Sequence, residues 1–424
     1  MIHLSLFMGI HYQPKVSIII PVYRGKEGFA VMLSALRGQT LQDIEIITVD
    51  DCGGDGTFDI AMEAAREDSR VVCLHNETNR GPGYSRNRGI AAAKGEYIAF
   101  ADADDFVPPN YYQLLYEKAL QTDALVVKGS RVYQKEDGSI ISSPLNGKIM
   151  KRLAGEKTML TLFVYEHQSA IYNTALVRET GAVNADARQD EDTVFLCMLM
   201  SHVPPARFAL QEQAVYYYRR SPSSLSSPLS PAYLEESIKS MQCKVAYLIT
   251  LPPTEEIGRY AATLYEERIV YRMRRIPDMS RHTAEQKEAY YAAVRESMVQ
   301  FYSRYPQLAM PTPGMLMVAM GVKPDSIIEK LQEEKEGLAF PAKTGSFVFR
   351  TAIDGKMQAC RSHMKCQICR ERFLYIFHRI LALVSSRQKR MYRKHAAMAQ
   401  VFSSWLRMTS SSSSSASAMD DGRQ

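Results

Sequence analysis

The strongest constraint on how this chain folds lies in its first hundred residues, where short apolar runs alternate with helical patterns. VSIIIPVY, opening at Lys15, reads as a strand stopped by Pro21. Residues 28–37 follow with Phe29, Met32, Leu33 and Leu36 on one helical face. Residues 42–51 give a second strand, CGGDGT a turn, and residues 58–66 a helix. Val71, Val72 and Leu74 make a short third strand. The loop HNETNRGPG leads into a helix over 84–93. Residues 96–101 then form an apolar run suited to a central parallel strand, with Tyr97, Ile98, Ala99 and Phe100. Strands and helices alternating at this spacing predict a parallel sheet with helices on both faces. Ligands of such sheets bind beyond the carboxyl ends of the strands. Tyr23, Asp50, Asp51 and the cluster Asp102, Asp104 and Asp105 all fall at those ends.

The acidic cluster narrows the chemistry. In an extended backbone Asp102 and Asp104 would share a face, with carboxylates ~6–7 Å apart repelling by roughly 2–3 kcal/mol. An acidic loop in water would leave that repulsion to solvent. A divalent cation holding a diphosphate would neutralise it, and Mg²⁺ or Mn²⁺ prefers carboxylate, water and phosphate oxygens. The common nucleotide loops are missing. PVYRGKEG after the first strand is not a GxGxxG loop, Gly81-Pro82-Gly83 comes too late with the wrong spacing, and no GxxxxGK[ST] is present. A metal-dependent diphosphate site is what remains.

Length and composition set the frame. The 424 residues suffice for two domains and a tail. At 46% hydrophobic residues a sizeable core is available, yet no run of 18 or more apolar residues suggests a transmembrane helix. The start, MIHLSLFMGI, lacks early basic residues and a small-residue cleavage site, so no signal peptide is expected. Cysteines at 52, 73, 197, 243, 360, 366 and 369 are odd in number and scattered, which favours reduced thiols in a cytoplasm.

VSIIIPVYRG, ITVDDCGGDGT, NRGPGYSRNRGIAAAKGEYIAFADADD and the later RQDEDTVF together resemble glycosyltransferase family 2, inverting enzymes of the GT-A fold. The resemblance covers about residues 14–227. It implies a nucleotide-diphosphate-sugar donor, with a UDP-sugar expected, a Mg²⁺ or Mn²⁺ ion, and transfer of one sugar with inversion. It places Pro21, Tyr23, Asp50, Asp51, Arg86, Asp102 and Asp104 around the nucleotide sugar. Tyr23 would flank the base, Asp51 would accept a hydrogen bond from it, and Asp50 would support the site. Asp104 would ligate the metal, and Asp102 would contact ribose or a metal-bound water. Asp105 either caps the turn before Pro108 or takes a direct part. The catalytic base falls in the pair Glu191 and Asp192. Asp192 is the expected base and Glu191 holds acceptor or geometry; acids in the first turn of a helix also suit its dipole. The implied acceptor is a glycan or lipid-linked hydroxyl in surface polysaccharide or glycolipid synthesis, and no nucleic-acid partner is implied. A nucleotidyltransferase on a related sheet would want a glycine-rich basic loop after the first strand, where Arg24-Gly25-Lys26 is sparse. A non-catalytic nucleotide-sugar-binding protein would not need both acidic motifs intact.

The remaining expectations are coarser. DALVVK at 123–128 is a strand, and 131–151 a loop or hairpin over the site with a turn at Glu136-Asp137-Gly138. Ala170, Ile171 and Tyr172 make a short strand, with a helix near Leu176. RQDEDTVFLCMLM leads into an amphipathic helix with Val194, Phe195, Met198 and Leu199. AVYYY is strand-like, and Arg219 or Arg220 either touches the diphosphate or is solvated. The expected divisions are an extension, 1–13; a GT-A-type domain with a mostly parallel sheet flanked by helices, 14–229; a helical region, 230–340, with a helix over 323–336 and aromatic stripes read as packing; and a basic tail, 341–424. From 361 to 407 there are eleven Lys or Arg against Glu371 alone, around FLYIFHRILALV. Such a segment lies on an anionic membrane at the inner face of the cell, packs on the body, or forms an arm. Cys360, Cys366 and Cys369, with His363, lack the paired CxxC spacing of a zinc site. Ser410 to Ser415 is low in complexity and expected to be disordered.

Overall fold

The computed structural model describes residues 13–134, 139–143, 156–160, 166–219, 233–266 and 283–308. The turn at 136–138, Arg220, the helix at 323–336, the three C-terminal cysteines, the basic tail and the serine run lie outside them.

Among the described residues eight strands form one sheet: β1 Val16–Val22, β2 Ile44–Asp50, β3 Val71–His75, β4 Tyr97–Phe100, β5 Val126–Gln134, β6 Ile140–Ser143, β7 Ala170–Asn173 and β8 Phe208–Arg219. Their order is β3-β2-β1-β4-β7-β5-β6, with β8 also paired to β5. β1–β2, β1–β4, β2–β3 and β5–β8 are parallel, whereas β7 opposes β4 and β5, and β6 opposes β5. The sheet is therefore mostly parallel, with β6 and β7 reversed. Around it lie α1 Lys26–Arg37, α2 Thr57–Glu67, α3 Pro82–Ala92, α4 Tyr111–Thr122, α5 Thr174–Thr180 and α6 Glu191–Met200.

The unbroken apolar runs follow from burial on both faces. Successive side chains of a strand point to opposite sides. Val16, Ile18, Ile20 and Val22 join one core with Phe29, Met32, Leu33 and Leu36 of α1. Ile19, Ile47, Val49, Ile98 and Phe100 join the other with Leu176, Val177, Phe195 and Leu199 of α5 and α6.

Four expectations need correction. β1 does not stop at Pro21 but runs to Val22, with Pro21 opposite Val49. The carbonyl of Ile19 accepts from Ala101 on the β4 side. By the period of two, Pro21 faces that side as well, where β4 has already ended at Phe100, so its missing N–H leaves no gap in the ladder. DALVVK is strand only from Val126, because Asp123 ends α4 in a left-handed conformation, and β5 continues into the expected hairpin with β6. α6 is not amphipathic. Phe195, Leu196, Leu199 and Met200 enter the second core, while Val194 packs on Ala185 and Ala187, so nearly its whole surface is buried. Lastly, the acids after β4 are not extended. The amide of Asp105 donates to the carbonyl of Asp102 at 3.2 Å, which closes a turn and voids the rule that alternate residues share a face.

The chain divides into two compact units between Ser227 and Pro228. The second contains α7 Tyr233–Leu248, α8 Glu255–Glu266 and α9 Ala284–Arg304. α9 begins with a reciprocal capping pair of Thr283 and Gln286. Tyr265, Tyr290, Phe301 and Tyr302 are all buried, so these aromatic stripes are core. No helix among the described residues is long and apolar enough to cross a membrane. Among the described residues, Cys52, Cys73, Cys197 and Cys243 are thiols that form no disulfide.

α3 lies so close to β1 that a Cβ at Gly89 would fall 2.3 Å from Cγ2 of Ile19. Gly89→Ala should therefore destabilise the fold by about 1–3 kcal/mol through overpacking. Urea unfolding of the variant measures this, and an unchanged midpoint would show that α3 can retreat at no cost.

Candidate active site

The carboxyl ends of β1, β2 and β4 converge with the start of α6. Tyr23, just beyond β1, is 46% exposed, and its ring lies 5.1 Å from the Arg24 guanidinium. Arg24 and Cys52, in the loops after β1 and β2, both hold left-handed backbones with φ near 60°, as does Asp190 at the start of α6. Non-glycine residues in that region gather at functional sites.

Asp50 and Asp51 end β2 and are both buried. Asp51 accepts hydrogen bonds from the Asn76 amide at 2.7 Å and from the backbone of Arg80 and Gly81 at 2.8 and 2.7 Å. It thereby shapes the loop that enters α3. Asp50 meets Nδ1 of His75 at 2.8 Å through one oxygen, and its other oxygen, Oδ1, is a buried acceptor with no donor.

α3 carries the link between the acidic turn and α6. Its residues 83, 86 and 87 share one face by the helical spacing of three and four. A Cβ on Gly83 would lie 2.2 Å from the carbonyl oxygen of Ala185, so only glycine permits this approach. Asn87 donates to the carbonyl of Asn184 at 2.9 Å and accepts from its amide at 2.8 Å. Between them, the buried Arg86 donates to Asp102 Oδ1 at 2.7 Å and to Glu191 Oε1 at 2.6 Å. One guanidinium thus joins the two acidic motifs. Burial opposes its charge, but Asp102, Glu191 and Asp192 outweigh that and raise its pKa. Burial raises the pKa of Glu191, and Arg86 offsets part of this. Each ion pair gains about 5 kcal/mol at an effective dielectric near 20, but desolvation costs several kcal/mol per ion. Position, more than net stability, is what the bridge provides.

The three acids of the turn differ. Asp102 is fixed: its Oδ1 faces Arg86, its Oδ2 accepts from the Gln168 amide at 2.5 Å, and its backbone amide donates to the Tyr216 hydroxyl. Asp105 is fully buried and accepts from the Arg219 backbone at 2.9 Å. It therefore ties the turn to the end of β8, a structural task different from capping the turn before Pro108. Burial, Asp102 and Asp104 push its pKa well up. Asp104 is exposed, yet desolvation by the protein around it and the charge of Asp102 push its carboxyl up to about 6, with Arg219 acting the other way. Arg219 lies over the Phe106 ring at 5.7 Å. Asp192 accepts from the Thr193 amide at 2.8 Å, and its charge reaches Arg86, Lys128 and Tyr172.

Among the described residues no three His, Cys, Asp or Glu side chains converge as a metal cage. An ion at this turn would need oxygens from a substrate. That fits Mg²⁺ or Mn²⁺, which bind through one or two carboxylates, water and phosphates.

Gln168, Tyr216 and Lys128 escaped the sequence reading. Lys128 is buried on β5, with Nζ 2.8 Å from Ser169 Oγ, and burial lowers its pKa. A lysine within the run DALVVK was the one available signal; Gln168 and Tyr216 carried none.

The profile described as Glycosyl transferase family 2 matches residues 17–181. The uncharacterized glycosyltransferase EpsJ of Bacillus subtilis is 32% identical over 55% of this chain and 70% of its own length. Glycosyltransferase GlyG of Streptococcus pneumoniae is 30% identical over 50% of this chain and 72% of its own. The structure of S. aureus TarS 1-349 in complex with UDP-GlcNAc superposes with a TM-score of 0.58 at 19% identity, covering 77% of this chain and 93% of that one. At that identity it shows the fold.

Without Arg86, Asp102 and Glu191 would stand largely buried with no counter-charge. The folded-state pKa of Glu191, raised by burial and no longer offset by Arg86, would lie above its unfolded value, so the folded state would hold a proton that the unfolded state has lost. Stability then falls as pH rises. Arg86→Leu should cost about 3–5 kcal/mol at pH 8 and less at pH 5. Urea unfolding of both proteins at the two pH values tests this, and a pH-independent loss would remove the charge argument.

Proposed function

This chain belongs to glycosyltransferase family 2, and we propose that it moves one sugar, with inversion, from a UDP-sugar to a hydroxyl of a glycan or lipid-linked acceptor in surface polysaccharide or glycolipid synthesis. The observation that carries this reading is the Arg86 bridge, which holds the acidic turn and the start of α6 to one guanidinium. A donor diphosphate and an attacking hydroxyl need groups of these two kinds side by side.

In the proposed reaction Tyr23 flanks the base, beside Asp50, Asp51 and the last residues of β1, including Pro21. Asp104, with Asp102 beside it, would hold a Mg²⁺ or Mn²⁺ ion, and Asp102 would contact the ribose or a metal-bound water. When bound, the ion spreads the charge of the leaving diphosphate, so no protein acid is required there. The acceptor oxygen bonds to the anomeric carbon from the face opposite the diphosphate, and the bond from that carbon to the phosphate oxygen breaks. The hydroxyl proton passes to Asp192, the general base. Glu191, held by Arg86, keeps the start of α6 in place. The choice of a UDP-sugar is supported by TarS, which has been captured with UDP-GlcNAc.

Two variants separate the roles. Asp192→Asn keeps size and hydrogen bonding but takes no proton, and should lower transfer by ~10²–10⁴ with donor affinity kept. Near-normal turnover would move the base elsewhere. Asp104→Ala should remove the dependence of UDP binding on Mn²⁺, read by calorimetry with and without the ion; unchanged metal dependence would refute the assignment. The wild-type response to the ion should also fade as pH drops through about 6, where Asp104 takes up a proton.

A further inference from the structure

Residues 166–169, between β6 and β7, are tied into the surroundings of the site by several contacts. Glu166 meets Lys128 at 3.6 Å and Arg131 at 3.3 Å. The buried His167 ring stacks on Phe100 with centroids 4.3 Å apart. Gln168 donates from Nε2 to Asp102 Oδ2 at 2.5 Å. Ser169 accepts from Lys128 Nζ at 2.8 Å through its hydroxyl and from the Gly129 amide at 2.7 Å through its carbonyl. The segment is set in place by the pairing of β7 with both β4 and β5.

We propose that Gln168 is the positioning residue for Asp102 in the donor reaction, an inference that rests on the function proposed above. Asp102 has one oxygen on Arg86 and the other on Gln168. Its carboxylate cannot turn about the Cβ–Cγ bond without losing both contacts. The neutrality of the amide is central. Arg86 already divides its charge between Asp102 and Glu191. A second cation at 168 would cancel the negative charge of the turn, and an anion would repel Asp102. A glutamine fixes the carboxylate and leaves the charge of Asp102 and Asp104 for a cation shared with the diphosphate. The division of labour follows: Asp102 is immobilised by protein donors, and Asp104, exposed at the rim, is the acid that can adjust to the ion. Groups that orient ligating carboxylates in this way change metal affinity or activity by about 10–100-fold when removed.

The test uses the full chain with UDP and Mn²⁺ as probes, together with UDP release during turnover. Gln168→Leu removes the donor at similar volume. Gln168→Glu keeps the length but presents a carboxylate to a carboxylate. Both should weaken Mn²⁺-dependent UDP binding and raise the donor KM by about 10-fold or more, with kcat at saturation within a few-fold of wild type in protein that remains folded at the assay temperature, even though the unpaired Asp102 oxygen lowers the unfolding midpoint modestly. A role in folding alone would instead lower the active fraction, reducing kcat at unchanged KM, and that pattern overturns the proposal. A Leu variant that matches wild type overturns it too, because the hydrogen bond would then be dispensable. The proposed function fails separately: if wild-type protein binds UDP equally with and without Mn²⁺, the metal reading is lost and the role of Gln168 goes with it.

Discussion

The active-site end of the sheet depends on a single guanidinium. Arg86 is buried between Asp102, 16 residues along the chain, and Glu191, 105 residues along. Removing either carboxylate or the cation would strand charge inside the protein, where an unpaired ion costs far more than a paired one gains. The acidic turn after β4 and the first turn of α6 are therefore held to each other by electrostatics, although nothing in the order of the chain makes them neighbours. The two acidic motifs of this family 2 glycosyltransferase are brought together by that constraint.

The bridge is possible only because α3 lies unusually close to its neighbours. Gly83 admits the carbonyl of Ala185, Gly89 admits Ile19, and Asn87 exchanges hydrogen bonds with Asn184. The glycines of NRGPGYSRNRG belong to no dinucleotide loop. They remove side-chain volume on two sides of a helix whose arginine must reach both acids. Asp51, which the family resemblance sets toward the base, shapes the entry to the same helix through Asn76, Arg80 and Gly81. A carboxylate at the end of β2 thus holds the loop that aims Arg86.

The acids of the turn show how one local sequence is divided by its surroundings. Asp105 is sealed against the end of β8, Asp102 is gripped from two sides, and Asp104 stays at the rim with its proton affinity raised. Three aspartates within four residues look alike on paper. Their different burial and partners make one structural, hold one in a fixed position and leave one free to move at the rim.

Much of this was legible before folding. Unbroken β-branched runs such as VSIIIPV and IEIITVD specify strands buried on both faces, because no alternating pattern leaves a side for water. Helical patterns between them specify parallel pairing, and the acids at the strand ends follow from where such sheets bind ligands. The direction of β7, the turn that withdraws Asp105 from the site, the full burial of α6, and the partners of Arg86 and Asp102 were not legible. They rest on contacts between residues tens to a hundred positions apart, set by how closely elements approach and which charges are sealed from water. Local propensity and periodicity describe one element at a time, so Gln168 and Tyr216, which carry no local signal, acquire their roles only when the sheet has brought them to Asp102.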